Sequence, residues 1–101
     1  MEFEEIIMNL IMYGGDARSQ SLMAIQTARQ NNFEEAYELL GSADDAINKA
    51  HAIQTDLVQA EIRGEKTEVC LLMIHAQDHL MNAMTVRDLA QEIVEILKNK
   101  K

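Results

Sequence analysis

The sequence predicts an all-α fold, an antiparallel up-down-up three-helix bundle, on three observations. The 101 residues contain no proline, the residue that most strongly breaks a helix. Apolar side chains recur at alternating spacings of three and four along nearly the whole chain, the period of a helical stripe. Only two short breaks interrupt that period, at Asn31-Asn32 and at Arg63-Gly64, so each helix must turn back beside the one before it. Strands have no place in such a pattern. No repeat, linker or low-complexity stretch divides residues 1–101, which read as a single domain.

The first helix is expected over residues 2–31, with Phe3, Ile6, Leu10, Tyr13, Ala17 and Ala24 on its stripe. Gly14 and Gly15 lie inside it, where each glycine costs about 1 kcal/mol relative to alanine. Either the missing side chains let another helix or a phosphate-like group approach the backbone, or the pair marks plain tight packing or a helix break. The second helix, 34–63, carries Ala36, Leu39, Ala43, Ala46, Ala50, Ile53, Leu57 and Ala60 up to Gly64, which can take the left-handed cap conformation. The third, 66–98, is the most regular, with Val69, Leu72, Ala76, His79, Ala83, Val86, Ala90, Ile93 and Leu97. It ends in Lys98, Lys100 and Lys101, cations suited to a helix C-terminus. Joined by turns of two or three residues, the helices form one seam. Further apolar residues lie off the main stripes: Ile7, Ile11 and Ile25, then Leu40, Ile47 and Val58, then Met73, Leu80 and Met84. A second apolar edge implies burial against other subunits, hence a homo-oligomer.

Nine basic against seventeen acidic residues give a net charge of −8, a poor field for nucleic acid or an anionic membrane surface. The acidic start Met1-Glu2-Phe3-Glu4-Glu5 is unlike a secretory signal, and no apolar run approaches the ~18 residues of a membrane span. The single Cys70 excludes an internal disulfide and a cysteine-cage zinc site, and suits a reducing compartment. A cytoplasmic protein, neither exported nor membrane-embedded, is expected.

The chemistry concentrates in His75-Ala76-Gln77-Asp78-His79-Leu80-Met81. Residues three and four apart share a helix face, so His75, Asp78, His79 and Asn82 are neighbours, on a half-polar row that runs Leu71, His75, Asp78, Asn82, Thr85. His79 falls on the apolar stripe and reads equally as a hydrogen-bonded structural histidine. His75 lies just off it, where a neutral imidazole can stay accessible as a nucleophile for phosphoryl transfer or be an ordinary surface histidine. Asp78 is open to three readings: orienter of an imidazole, metal ligand, or solvated charge. If this edge lies on a rotation axis, copies of Asp78 converge and a divalent ion such as Mg2+ would neutralise them. His51 and Gln54, three apart on the second helix, could each donate a hydrogen bond to the third.

With these residues in view, the chain resembles the enzyme IIA component of the lactose/cellobiose-type phosphoenolpyruvate-dependent sugar phosphotransferase systems. The resemblance is carried by Gly14-Gly15-Asp16-Ala17-Arg18-Ser19, Asn31-Asn32-Phe33-Glu34-Glu35-Ala36, Ala50-His51 with Gln54-Thr55, and above all His75 to Met81. The second glycine, Gly15, departs from the family's habit of one glycine followed by a polar residue. The resemblance implies a cytoplasmic homotrimer. It implies that His75 accepts a phosphoryl group, as tele-phosphohistidine, from the phosphohistidine of the carrier HPr and passes it to a cysteine of the cognate enzyme IIB. It implies Asp78 at the trimer axis around one Mg2+ or similar divalent cation, with His79 and Gln77 supporting the site. Gln54 and Asn82 are further candidate donors to the phosphoryl oxygens. Ala76 after the first histidine looks closer to the cellobiose/diacetylchitobiose branch than to the lactose branch.

Three other readings compete. A metal-binding helical bundle with hydrolase activity would use His75, Asp78 and His79, yet the inward rows of the first two helices offer almost no carboxylates. A histidine phosphotransfer signalling domain is associated with His-x-x-Lys-Gly, which this chain lacks. A catalytically inert assembly module needs only the bundle.

Overall fold

Helix propensity and two glycine- or asparagine-based turns account for the architecture of the computed structural model, which describes residues 2–100. Three helices, α1 (Phe3–Arg29), α2 (Phe33–Ile62) and α3 (Leu71–Asn99), run up, down and up, and no strand occurs among the described residues. The rod measures 53 × 20 × 19 Å. The central member is α1, which lies along both α2 and α3, whereas α2 and α3 touch each other less.

Both reversals use the same cap. At the end of α1 the amides of Asn31 and Asn32 donate to the carbonyls of Ala28 and Thr27 at 2.9 and 3.1 Å. At the end of α2 the amides of Gly64 and Glu65 donate to Glu61 and Ala60 at 3.0 and 2.9 Å. Each is a Schellman motif, and each needs one residue in left-handed backbone: Asn31 at φ 65° and Gly64 at φ 90°. Asparagine tolerates that region better than most side chains do, which is why a turn without glycine works at Asn31. Asn32 then opens α2, its side-chain amide donating to Glu35 at 2.8 Å.

The second connection is longer than the expected two or three residues. Residues 65–70 are non-helical, Cys70 is fully extended, and α3 begins at Leu71 rather than near residue 66. The β-branched Thr67 and Val69 favour extended backbone here, and Val69 stays 78 % exposed instead of joining the stripe. The expected stripes keep Leu10 and alanines such as Ala17, Ala50, Ala76 and Ala90 in the core, while several of their larger residues give way to neighbours. Leu40, Met73, Leu80 and Ile7 are interior, whereas Leu72 and Ile93 are exposed. Most of the residues assigned to a second, outward edge therefore fill the subunit's own core, and Val58 alone of them is exposed. The exposed apolar surface is elsewhere, on Met8, Met12, Ile62, Leu71, Ile74, Met81, Leu89 and Ile96.

Alanine dominates the interior: Ala17, Ala24, Ala43, Ala50, Ala76, Ala83 and Ala90 have no exposed surface. Such small side chains let the helices approach closely, and the closest point is a glycine. A Cβ built on Gly14 would stand 3.1 Å from the carbonyl carbon of His79, 3.2 Å from its oxygen and 3.3 Å from the Leu80 amide. Of the two readings of the glycine pair, Gly14 therefore admits another helix. Gly15 has nothing within 4 Å of the corresponding position. Away from this crossing, α2 and α3 are tied by Arg87, whose Nη2 donates to Asp44 at 2.8 Å while Nε lies 2.6 Å from the second carboxylate oxygen, off the hydrogen-bonding angle.

Thermal unfolding followed by circular dichroism at matched protein concentration should separate the two glycines. Gly14→Ala should lower the midpoint, because overpacking of about 1–3 kcal/mol exceeds the helix-propensity gain of about 1 kcal/mol. Gly15→Ala should hold or raise it.

Candidate functional site

The first turns of α3 place the histidines. Because α3 starts at Leu71, His75 stands in its second turn, on the exposed side, while Met73 and Ala76 anchor the helix in the core. His79 follows one turn later and is half-buried against the Gly14 crossing. Their rings meet edge to face, with centroids 4.5 Å apart and planes at 83°. The two Nε2 atoms are 3.1 Å apart. Two neutral imidazoles can make that contact only if one carries its proton on Nε2 and the other on Nδ1, so each ring sets the other's tautomer.

Around the pair is a shallow cavity of about 150 Å³ lined by Arg18, His75, Asp78, His79 and Asn82. Four of these are the α3 neighbours that spacing brings together. The fifth, Arg18 on α1, carries a cation that the spacing argument on α3 did not reach. Its signal in the sequence is its place four residues after Gly14, one turn beyond the residue that brings α1 against His79. Asp78 and Arg18 share the cavity without forming an ion pair.

Gln77 is on the other flank of α3, where it meets Gln54 of α2. The Gln54 amide donates to the Gln77 carbonyl oxygen at 2.6 Å, and the Gln77 amide is 3.8 Å from the Met73 sulfur. They tie α2 to α3 beneath the histidines and do not line the cavity. The expected bond from α2 to α3 is thus made by Gln54. His51 is exposed and makes no such bond.

Asp78 is exposed, and the same face of α3 carries Leu71, Ile74, Met81 and Leu89, all exposed. A carboxylate is thereby set among apolar side chains on an uncovered face. Among the described residues no three His, Cys, Asp or Glu side chains come close enough to hold a metal within one chain. No described helix is long and apolar enough to cross a membrane.

A histidine pair on the open face of a three-helix bundle, without an enclosed pocket, suits a group carrier rather than an enzyme that engulfs a substrate. The comparisons agree. The family described as PTS system, Lactose/Cellobiose specific IIA subunit matches residues 5–98, and the chain belongs to that family. It is therefore a phosphotransferase-system enzyme IIA component. It is 53% identical over 95 residues to the lichenan-specific phosphotransferase enzyme IIA component of Bacillus subtilis, covering 94% of this chain and 86% of that one. The crystal structure of the cellobiose-specific enzyme IIA from Bacillus anthracis superposes with a TM-score of 0.93 at 50% identity, over 98% of this chain and 92% of the other. The chitobiose IIA of Escherichia coli, solved in complex with HPr, gives a TM-score of 0.84 at 36% identity, over 98% and 96% of the two chains.

In mildly alkaline solution, long-range 1H–15N NMR should find the two rings in opposite tautomers. His79→Phe should release His75 to a mixture of both. Identical tautomer populations for the two rings, unmoved by the substitution, would refute the contact.

Proposed function

We propose that the chain is a phosphocarrier that accepts a phosphoryl group from phospho-HPr on Nε2 of His75 and hands it to a cysteine of the cognate enzyme IIB. The carrying observation is the pairing of an exposed His75 with His79 through their Nε2 atoms at 3.1 Å. When His79 holds the shared proton, Nε2 of His75 carries its lone pair and accepts that bond; as the phosphoryl donor approaches, the His79 N–H turns to a phosphoryl oxygen and releases the pair for attack. In the forward step that lone pair bonds to phosphorus, the P–N bond to the donor's imidazole breaks, and the donor ring keeps the bonding electrons. In the second step a thiolate sulfur attacks phosphorus and His75 recovers its pair. Little covalent machinery is involved, so positioning and stabilisation of the phosphoryl oxygens supply the catalysis. The Nε2 proton of His79 and the amide of Asn82 are donors at the cavity wall, while Gln77 and Gln54 hold α3 in place against α2.

The HPr complex of the chitobiose relative supports HPr as donor, and a cytoplasmic location is consistent with that reading. Similarity to lichenan- and cellobiose-specific components supports a β-linked disaccharide, with cellobiose or chitobiose favoured over lactose. Self-association as a homotrimer would cover the Leu71, Ile74, Met81 and Leu89 face and bring three copies of Asp78 to one axis. The donor set fits a hard divalent cation such as Mg2+, since carboxylate oxygens suit it and one chain alone provides too few ligands. The ion would neutralise the converging carboxylates.

Incubation with phosphoenolpyruvate, enzyme I and HPr should add one acid-labile phosphoryl group per chain, and His75→Gln should abolish it with helicity intact. Phosphorylation that survives the substitution would sink the assignment. By sedimentation the assembly should have three times the 11.4 kDa chain mass. Chelation should lower the thermal midpoint of the wild type and leave that of Asp78→Leu unmoved; an equal response of the two would remove Asp78 from metal binding.

A further inference from the structure

We propose that Arg18 binds the phosphoryl group carried on His75, its guanidinium fork holding two of the phosphoryl oxygens. The proposal deepens the reading of His75 as acceptor and rests on it. Arg18 lies on α1, which contributes no other residue to the cavity of His75, Asp78, His79 and Asn82.

Three observations place it there. The register of α1 against α3 is fixed where Gly14 meets the backbone of His79 and Leu80, and in parallel helices the next turn of α1 then faces the next turn of α3. Arg18 and Asn82 occupy those turns. Side chains on a helix lean toward its N-terminus, so Arg18 reaches back over the histidines. Next, the guanidinium has no hydrogen bond or ion pair among the described residues, unlike Arg63 with Glu65 and Arg87 with Asp44. Its donors are free to meet an incoming anion. Last, the charge balance favours it. A phosphoryl group brings about −1.5 to −2 charges to a cavity that already holds the Asp78 carboxylate, in a chain of net charge −8. Arg18 is the one cavity-lining residue whose positive charge does not depend on protonation near neutral pH.

The planar fork matches two oxygens of a phosphoryl group, and Arg18 gives up no proton in the process. As the bond from the donor nitrogen to phosphorus breaks and the bond to His75 Nε2 forms, charge spreads over the equatorial oxygens, where the guanidinium is most strongly attracted. The same contact holds the product on His75 after the donor leaves.

The test uses the full chain phosphorylated by enzyme I and HPr, with the modified residue located by mass spectrometry. Arg18→Gln should lower the rate at saturating phospho-HPr by about 10- to 100-fold, leave KM for phospho-HPr near the wild-type value, and move the 31P resonance of the phosphohistidine. Arg18→Lys, which keeps the charge but not the fork, should recover part of the rate. A wild-type rate and unmoved 31P resonance in Arg18→Gln, with phosphate still on His75, would overturn the proposal. So would a raised KM with unchanged saturated rate, which would make Arg18 a docking residue for HPr. Absence of phosphate from His75 in the wild-type chain would overturn the acceptor reading itself, a failure distinct from the other two.

Discussion

The contact between Gly14 and the backbone of His79 and Leu80 is the constraint on which the rest of the structure depends. A Cβ there would press on that backbone at 3.1 to 3.3 Å, tighter than ordinary van der Waals contact, and force α1 and α3 to give way. With hydrogen in its place, α1 seats deeply enough to serve both α2 and α3, and the alanine-lined interior closes without large side chains. The same contact brings Arg18 into the cavity beside the histidines and half-buries His79 so that its ring is held against His75. Packing and site geometry thus have one origin, and a change at Gly14 would disturb both.

Polar ties on the α2 side complete the frame. Since α2 and α3 touch less than either touches α1, their relative position relies on a few directional bonds: Gln54 with Gln77 near the histidines, and Arg87 with Asp44 farther along. Hydrogen bonds of this kind are modest in net energy but fix register more sharply than alanine contacts do. Gln54, read from its spacing as a donor to the third helix, makes that bond and so sets the distance between α2 and α3.

Much of this was legible in the sequence, and the exceptions share a cause. The two breaks at Asn31 and Gly64 are marked by residues that adopt left-handed backbone, so helix number, order and direction followed from local chemistry. The start of α3 was not marked, because Val69 is spaced from Met73 and Ala76 as a helical residue would be although its backbone lies outside the helix. Neighbouring apolar pairs such as Leu39-Leu40, Leu72-Met73 and Ile93-Val94 left open which column faces inward, and burial chose the second of each. The half of the site on one helix, His75, Asp78, His79 and Asn82, followed from spacing. Arg18 did not, because its place in the cavity depends on how two helices slide against each other, which no single-helix period encodes.

The early start expected for α3 would have put His75 deep in the helix, beyond reach of the unpaired amides at its N-terminus. The non-helical residues 65–70 move that terminus to within about one turn of the imidazole. The positive end of the helix dipole then underlies the ring. An anion held at this place gains from the backbone as well as from side chains, an advantage that no side-chain substitution in the cavity can remove. A five-residue shortening at the start of a helix, at first sight only a longer loop, is in that light a change in the local electrostatic potential.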